Sequence, residues 1–295
     1  MSIGILGYGK LGKALRNYLE KGGEEVLVFS DREKERRREG NTDFSPSTSL
    51  LDEKLPLDAL FLAHGSFGTY KEETLLLSQK YDLISAFDIH CELPSLQTQI
   101  HESAKKYKTT SILGVGWDPG LLSLARIMTQ ATFPELSPKT AWGEGVSEGH
   151  SFAIRQIVGV EDAIQYTVPD GEWHHRVCYV VCRESERARV RAEILNMREY
   201  FVKEHTEVYF ISKEEFDNKH RGNAFHKGKV SASLPDGSAG MTFEVSMKCN
   251  PDFTARTMCA YLPALLRLKK EGKYGAYGPL DIPFSYLFSD AQKYW

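Results

Sequence analysis

Two kinds of short stretch in this chain bring together residue types that bind or transfer charge. The first is Gly7-Tyr8-Gly9-Lys10-Leu11-Gly12, three glycines spaced G-x-G-x-x-G after an apolar run, Ile3–Leu6, and ahead of a helical pattern. In that context Gly7 makes a tight turn, Gly9 lets a pyrophosphate approach the backbone, and Gly12 lets a helix pack closely on a strand. Free N–H groups and the dipole at the helix start then favour the phosphate charge. The second kind is a carboxylate just past an apolar run: Asp88 in "SAFDIH" after Leu83–Ala86, and Asp118 in "GVGWDPG" after Thr110–Leu113. Open parallel sheets bind ligands outside the carboxyl ends of their strands. Two carboxylates there, beside Phe87, Trp117 and Trp142, suit an ammonium and its proton transfers, because desolvation and mutual repulsion drive their proton affinities apart. Aspartate also favours helix N-caps and turns, so the pair carries more weight than either member.

Other candidates lie further along. "WGEGVSEGHS" (142–151) reads as a glycine-rich loop whose backbone donors, with Ser147 or Ser151, could hold a carboxylate. "GEWHHR" puts Arg176 at the entrance of a strand, as a carboxylate ligand or an ordinary surface arginine. His174 and His175 are adjacent, so on a strand they face opposite ways and make a poor metal pair. Five scattered cysteines (Cys91, Cys178, Cys182, Cys249, Cys259) lack the second ligand pair that zinc needs and read as reduced thiols of a cytosolic enzyme. No metal site is expected.

Positioning these residues takes two architectures. Up to about residue 117, apolar runs at Ile3–Leu6, Val26–Phe29, Leu57–Ala63, Leu83–Ala86 and Thr110–Leu113 alternate with helical patterns, later ones around Thr74–Lys80 and Leu96–Lys106. Such alternation predicts an α/β Rossmann-type doubly wound parallel sheet, covered on both faces. After a helix over Leu121–Met128 the texture changes. Gln165–Val168, Val177–Cys182, Glu207–Ile211, Lys229–Leu234 and Thr242–Met247 read as strands around a charged helix near Ser185–Arg198. "LPDGSAG" (234–240) is a hairpin turn signal. A second α+β domain with a mixed or antiparallel sheet is expected over 118–250. The segment 251–295, helical and kinked at Pro263, is expected to complete the dinucleotide-binding domain formed by 1–117.

Bulk properties narrow the function. The 295 residues are 41% hydrophobic and 26% charged, enough for a buried core and ordinary for a globular protein. A net charge of −3 gives no footprint for nucleic acid. No apolar stretch is long enough for a membrane span, and a strand at Ser2–Leu6 leaves no room for a signal peptide, so a cytoplasmic protein is expected.

Cofactor choice stays open on the residues. His64-Gly65-Ser66 follow the Leu57–Ala63 run and join the candidate cofactor residues. At the end of the second strand Ser30-Asp31-Arg32 stand about 20 residues past the last glycine, where the ribose is read. Asp31 suits the 2′-hydroxyl of NAD, whereas Ser30, Arg32 and the Arg36–Arg38 cluster suit the 2′-phosphate of NADP.

The motifs "GYGKLG", "FDIH", "GWDPG", "WGEGVSEGHS", "VGVEDAIQYTVP" and "NPDFTA", in this order, resemble those of meso-diaminopimelate dehydrogenases, over essentially the whole chain. "GWDPG" and "NPDFTA" are far more specific than the glycine fingerprint. The resemblance implies an NADP-dependent homodimer of the lysine and diaminopimelate pathway. It implies reversible oxidative deamination of the D-centre of meso-2,6-diaminopimelate to L-2-amino-6-oxopimelate and ammonium. It further implies that Asp88 and Asp118 hold the reacting end, Trp117 and Trp142 wall the pocket, and Ser147, Glu148, Gly149 and His150 line it. Thr167, Arg176, His226 and Asn250 would take the non-reacting L-end. The chain departs from many members in reading Phe87-Asp88-Ile89-His90 for Tyr-Asp-Asn-His, Asp31-Arg32 for an arginine pair, and a short loop between Pro169 and Arg176.

Alternatives on the same scaffold are a broader D-amino acid dehydrogenase and a non-catalytic NADP(H)-sensing protein. A dihydrodipicolinate reductase would carry a paired-histidine and lysine signature that is absent here. A semialdehyde dehydrogenase would need an activated cysteine, and none of the five has an activating setting in the sequence.

Overall fold

The computed structural model describes residues 1–30, 44–171, 173–288, 290 and 293. It divides into two compact units, Met1–Leu124 with Pro251–Trp295, and Ala125–Asn250.

In the first unit, strands β1 (Ser2–Leu6), β2 (Glu25–Phe29), β3 (Phe44–Ser45), β4 (Ala59–Leu62), β5 (Leu83–Ser85), β6 (Thr110–Leu113) and, from the C-terminal segment, β14 (Gly275–Tyr277) form one sheet. Their order is β14-β6-β5-β4-β1-β2-β3, and every pairing among the described residues is parallel. β4 and β6 are buried at every position, and β4 is an unbroken apolar run while β6 also buries the hydroxyls of Thr110 and Ser111. The chain fills the sheet outward from β1 in one direction and then returns to β4 on its other side. The switch point for ligand binding therefore lies between β1 and β4.

Helices Asn250–Ala260 and Leu262–Lys270 place Ala255, Met258, Leu262 and Leu265 in the same core as Ile3, Ile5, Phe61, Ile84 and Ile112. That shared core joins the C-terminal segment to the first unit. The expected kink at Pro263 is a break between two helices, with the proline in the first turn of the second, where its missing N–H costs nothing. The tail, read as helical, also contributes β14. Its three residues, with glycine at Gly275, are too short for a periodic signal.

The second unit holds β7 (Lys139–Trp142), β8 (Gly145–Val146), β9 (Val160–Asp170), β10 (Trp173–Cys182), β11 (Thr206–Phe210), β12 (His226–Ser233) and β13 (Gly240–Met247). These strands divide between two sheets where one was expected: a mixed sheet β11-β10-β9-β8 and an antiparallel sheet β13-β12-β7. The charged helix is a 3-10 turn, Glu184–Glu186, followed by an α-helix, Arg187–Leu195. No helix among the described residues is long and apolar enough to cross a membrane.

Candidate active site

The glycine fingerprint turns the chain from β1 into the helix Lys10–Lys21. Gly7 has φ +94°, a backbone state that disfavours side chains, and its N–H donates to Phe29 O at 2.8 Å. A Cβ on Gly12 would lie 2.1 Å from Gly7 O, so no side chain fits between helix and turn. A Cβ on Gly9 would meet no atom within 4 Å. The first turn of this helix contains no acid, and no side chain caps it. An open approach at Gly9 beside an uncapped helix start fits the pyrophosphate of a dinucleotide.

The surrounding cofactor candidates differ in what they can offer. The Tyr8 ring is buried against Phe44, 4.7 Å between centroids. Leu11 packs on the core, while Lys10 is exposed. Ser30 is buried, and its N–H donates to Ser45 O at 3.0 Å. His64, Gly65 and Ser66 follow β4, and a Cβ on Gly7 would lie 2.9 Å from His64 N, so this segment borders the phosphate turn. Asp31, Arg32 and Arg36–Arg38 lie outside the described residues.

Asp88 and Asp118 leave the same edge of the sheet, because β5 and β6 are parallel neighbours with Ser85 opposite Leu113. Hydroxyls fix the Asp88 loop: Ser66 Oγ accepts the Asp88 N–H at 3.1 Å and Ser85 Oγ accepts the Phe87 N–H at 3.1 Å. Ser85 also bonds the buried Tyr70 hydroxyl, whose ring lies 5.2 Å from Phe87 and 4.7 Å from His64. Burial raises the Tyr70 phenol pKa, so it stays protonated. The Asp118 side chain is 2% exposed, and its Oδ1 lies 3.8 Å from His90 Nε2, two residues beyond Asp88. That contact ties the two aspartate segments together.

The corner after β6 is closed by a bridge between Gly116 and Gly120. Gly120 has φ +124°, and a Cβ there would lie 2.1 Å from Gly116 O, so the turn admits no side chain. Trp117 O then accepts the Leu122 N–H at 2.9 Å in the first turn of Leu121–Thr132. The side chains of Trp117 and Asp118 are thus set by a glycine-clamped turn running into a helix.

The second unit assembles its own cluster. Thr167 on β9 and Arg176 on β10 are register partners, and Arg176 Nη1 donates to Thr167 Oγ1 at 2.6 Å. Thr167 is fully buried and Arg176 nearly so, which removes the surface alternative left open for this arginine. Burial lowers the guanidinium pKa, opposed by Glu204, though an arginine keeps its charge. Gly145 on β8 faces Thr167 in register, and a Cβ on it would lie 2.4 Å from the His226 Cα. His226 is buried, and its Nδ1 lies 2.8 Å from Lys227 O and 2.9 Å from Lys227 N. Asn250 binds in from the other side: its N–H donates to Ala224 O at 2.7 Å and its Nδ2 to Val146 O at 3.5 Å.

The "SEGH" segment is the clearest correction. Read as a loop, it is the turn from β8 into a helix, Glu148–Arg155, with Ser147 at its N-cap. Ser151 is fully buried, donating to Ser147 O at 2.6 Å and accepting the Gln165 N–H at 2.9 Å, so it is committed to the fold. Ser147 Oγ lies 2.7 Å from His150 Nδ1. The His150 pKa is lowered well below the usual 6.5, first by burial and then by the Arg176 charge. Glu148, Gly149 and His150 form the first turn of this helix. Trp142 ends β7 with its ring against His174, 5.2 Å between centroids.

His174 and Arg176 reveal a residue outside the sequence candidates. Glu204 Oε2 lies 3.1 Å from His174 Nε2 and 4.0 Å from Arg176 Nε. A lone acid between a helix and a strand carries no periodic or motif signal in the sequence. Among the described residues no group of His, Cys, Asp and Glu can hold a metal ion. Burial pushes the Cys178 and Cys259 thiols up to about 12, so neither is an activated nucleophile.

Comparison with known proteins adds to this geometry. Residues 116–250 match the family described as the diaminopimelic acid dehydrogenase C-terminal domain. The meso-diaminopimelate D-dehydrogenase of Lysinibacillus sphaericus is 35% identical over 97% of this chain and 94% of its own length. The solved structure of the C. glutamicum DAP dehydrogenase in complex with DAP is 30% identical, covers 98% of this chain and 95% of that one, and has a TM-score of 0.87. An engineered D-amino acid dehydrogenase bound to NADP+ is 28% identical, covers 98% and 96%, and has a TM-score of 0.91.

Proposed function

This chain belongs to the meso-diaminopimelate D-dehydrogenase family, and from that premise we propose that it oxidises the D-centre of meso-2,6-diaminopimelate with NADP+, giving L-2-amino-6-oxopimelate and ammonium, reversibly. The observation that carries the substrate is the buried Arg176–Thr167 pair. A desolvated guanidinium held by a neutral hydroxyl is a site for a carboxylate remote from the reacting carbon. The solved relative with NADP+ bound supports the choice of cofactor, and the open phosphate turn at Gly9 fits the pyrophosphate of a dinucleotide. The same reading makes the enzyme a cytoplasmic homodimer.

Gly7, Gly9 and Gly12 with the helix start hold the pyrophosphate, and when bound the nicotinamide accepts a hydride from the D-carbon. Everything else falls to side chains of this chain. Asp88 and Asp118 orient the reacting ammonium, and one of them takes its proton before the C–H bond breaks. The little-exposed Asp118 carboxylate keeps that proton transfer away from bulk water. After oxidation the same pair serves the water that attacks the imine carbon and releases ammonium. Trp117, next to Asp118 on the glycine-clamped turn, limits water at the reacting end. Arg176, Thr167, His226 and Asn250 hold the distal end, so only one stereocentre presents its hydrogen for transfer.

The high likeness to an engineered D-amino acid dehydrogenase keeps a broader D-amino acid specificity as the second reading. Parallel assays with meso-diaminopimelate, its L,L-isomer and D-alanine separate the two. Turnover confined to the meso compound supports the first, and comparable rates with D-alanine support the second.

A further inference from the structure

The side chains assigned to the distal end, Thr167, Arg176, His226 and Asn250, include no acid. Yet an amino acid end carries an ammonium beside its carboxylate, and an ammonium in a partly desolvated site needs an anionic acceptor. Glu204 stands where that acceptor would be required. Its Oε2 lies 4.0 Å from Arg176 Nε and 3.1 Å from His174 Nε2, whose ring packs against Trp142.

The backbone makes this placement firm. Arg176 N–H donates to His205 O at 2.8 Å, tying the residue next to Glu204 directly to the arginine. Glu204 N–H donates to Phe201 O at 2.9 Å, and Thr206 Oγ1 donates to Glu204 O at 3.1 Å. The His174 ring, its Nε2 3.1 Å away, and the Arg176 charge lower the Glu204 pKa against an opposing effect of burial, so it is an anion at neutral pH. Its side chain remains 32% exposed, and Oε1 has no partner among the described residues.

We propose that Glu204 is a specificity-determining residue that accepts the distal ammonium, so that the pocket reads an amino acid end rather than a bare carboxylate. This rests on the distal-end reading above. The test compares meso-diaminopimelate with D-2-aminopimelate, the same carbon chain without the distal amine, in the wild type, Glu204→Gln and Glu204→Asp. Glu204→Gln keeps the side-chain shape and removes the charge. Its kcat/KM preference for meso-diaminopimelate is expected to fall roughly tenfold or more, through KM with kcat little changed, while Glu204→Asp retains part of the preference. Because both substrates meet the same enzyme, partial unfolding cancels in the ratio. An unchanged preference, with both substrates losing equally, overturns the proposal and leaves Glu204 as a brace for Arg176. A wild-type enzyme that oxidises neither diacid sinks the functional reading itself, and the proposal with it.

Discussion

Replacing Gly9 and Gly12 by alanine, one at a time, separates the cofactor site from the fold. A Cβ on Gly12 would lie 2.1 Å from Gly7 O and 3.0 Å from Gly7 C, both backbone atoms with no freedom to rotate away. Helix and turn must part by about 1 Å, an overpacking that costs roughly 1–3 kcal/mol. At about 2–4 °C per kcal/mol, Gly12→Ala should melt roughly 2–12 °C below the wild type. Gly9 has an extended backbone, φ −74° and ψ −160°, and a Cβ there touches nothing within 4 Å. Gly9→Ala should therefore change stability by about 0.5 kcal/mol or less. The methyl group would occupy the approach of the pyrophosphate, raising the Kd for NADPH by roughly tenfold or more. Calorimetry gives the first quantity and a fluorescence titration with NADPH the second. Wild-type NADPH affinity in Gly9→Ala, or a melting point as low as that of Gly12→Ala, would refute the assignment of the turn.

Further outcomes follow from the same geometry. Asp118→Asn should bind NADPH normally while kcat falls by about 100-fold or more, as expected for a lost proton acceptor; near-normal turnover would restrict Asp118 to holding the amine. Arg176→Met should raise KM for meso-diaminopimelate roughly 10- to 100-fold, a lost charge-assisted bond, and leave any D-alanine rate unchanged in steady-state kinetics. His150 has its pKa depressed below 6.5, first by burial, so the unfolded chain binds the proton more tightly. Its contribution to stability is full above 6.5 and is lost as pH falls below it, and His150→Gln should flatten that slope in melts taken between pH 7.5 and about 5. Cys178 and Cys259, with thiols pushed up to about 12, should resist iodoacetamide at pH 8 in the folded protein, as read by mass spectrometry, while exposed Cys91 is alkylated.

How much of this was legible in the sequence depends on where the physical signal resides. β6 has the predicted bounds, Thr110–Leu113, because its β-branched and apolar residues are buried throughout and Gly114 follows at once. The glycine fingerprint is equally local, since turn, open approach and tight packing each need a missing side chain at a fixed offset. The helix Glu148–Arg155 was hidden, because Gly149 and Ser151 lower its helix propensity and only packing against β9 restores it. Partition of the later strands into two sheets depends on pairings between distant residues, such as Gly228 with Trp142, which no local pattern carries. Arg176 looked like any arginine at a strand entrance; its burial follows from Thr167 across the ladder and the 201–205 segment beside it. Glu204 becomes visible only once that segment is folded against β10.

The central claim is that hydride leaves the D-carbon of meso-diaminopimelate, and an isotope experiment addresses it directly. Substrate carrying deuterium at the D-carbon is incubated with the enzyme and NADP+, and the reduced cofactor is examined by mass spectrometry. The account predicts NADPH one mass unit heavier, with ammonium released in equal amount, and unlabelled NADPH when deuterium sits at the L-carbon. Label arriving from the L-carbon, or no reduced cofactor from either substrate with NADP+ or NAD+, would contradict it.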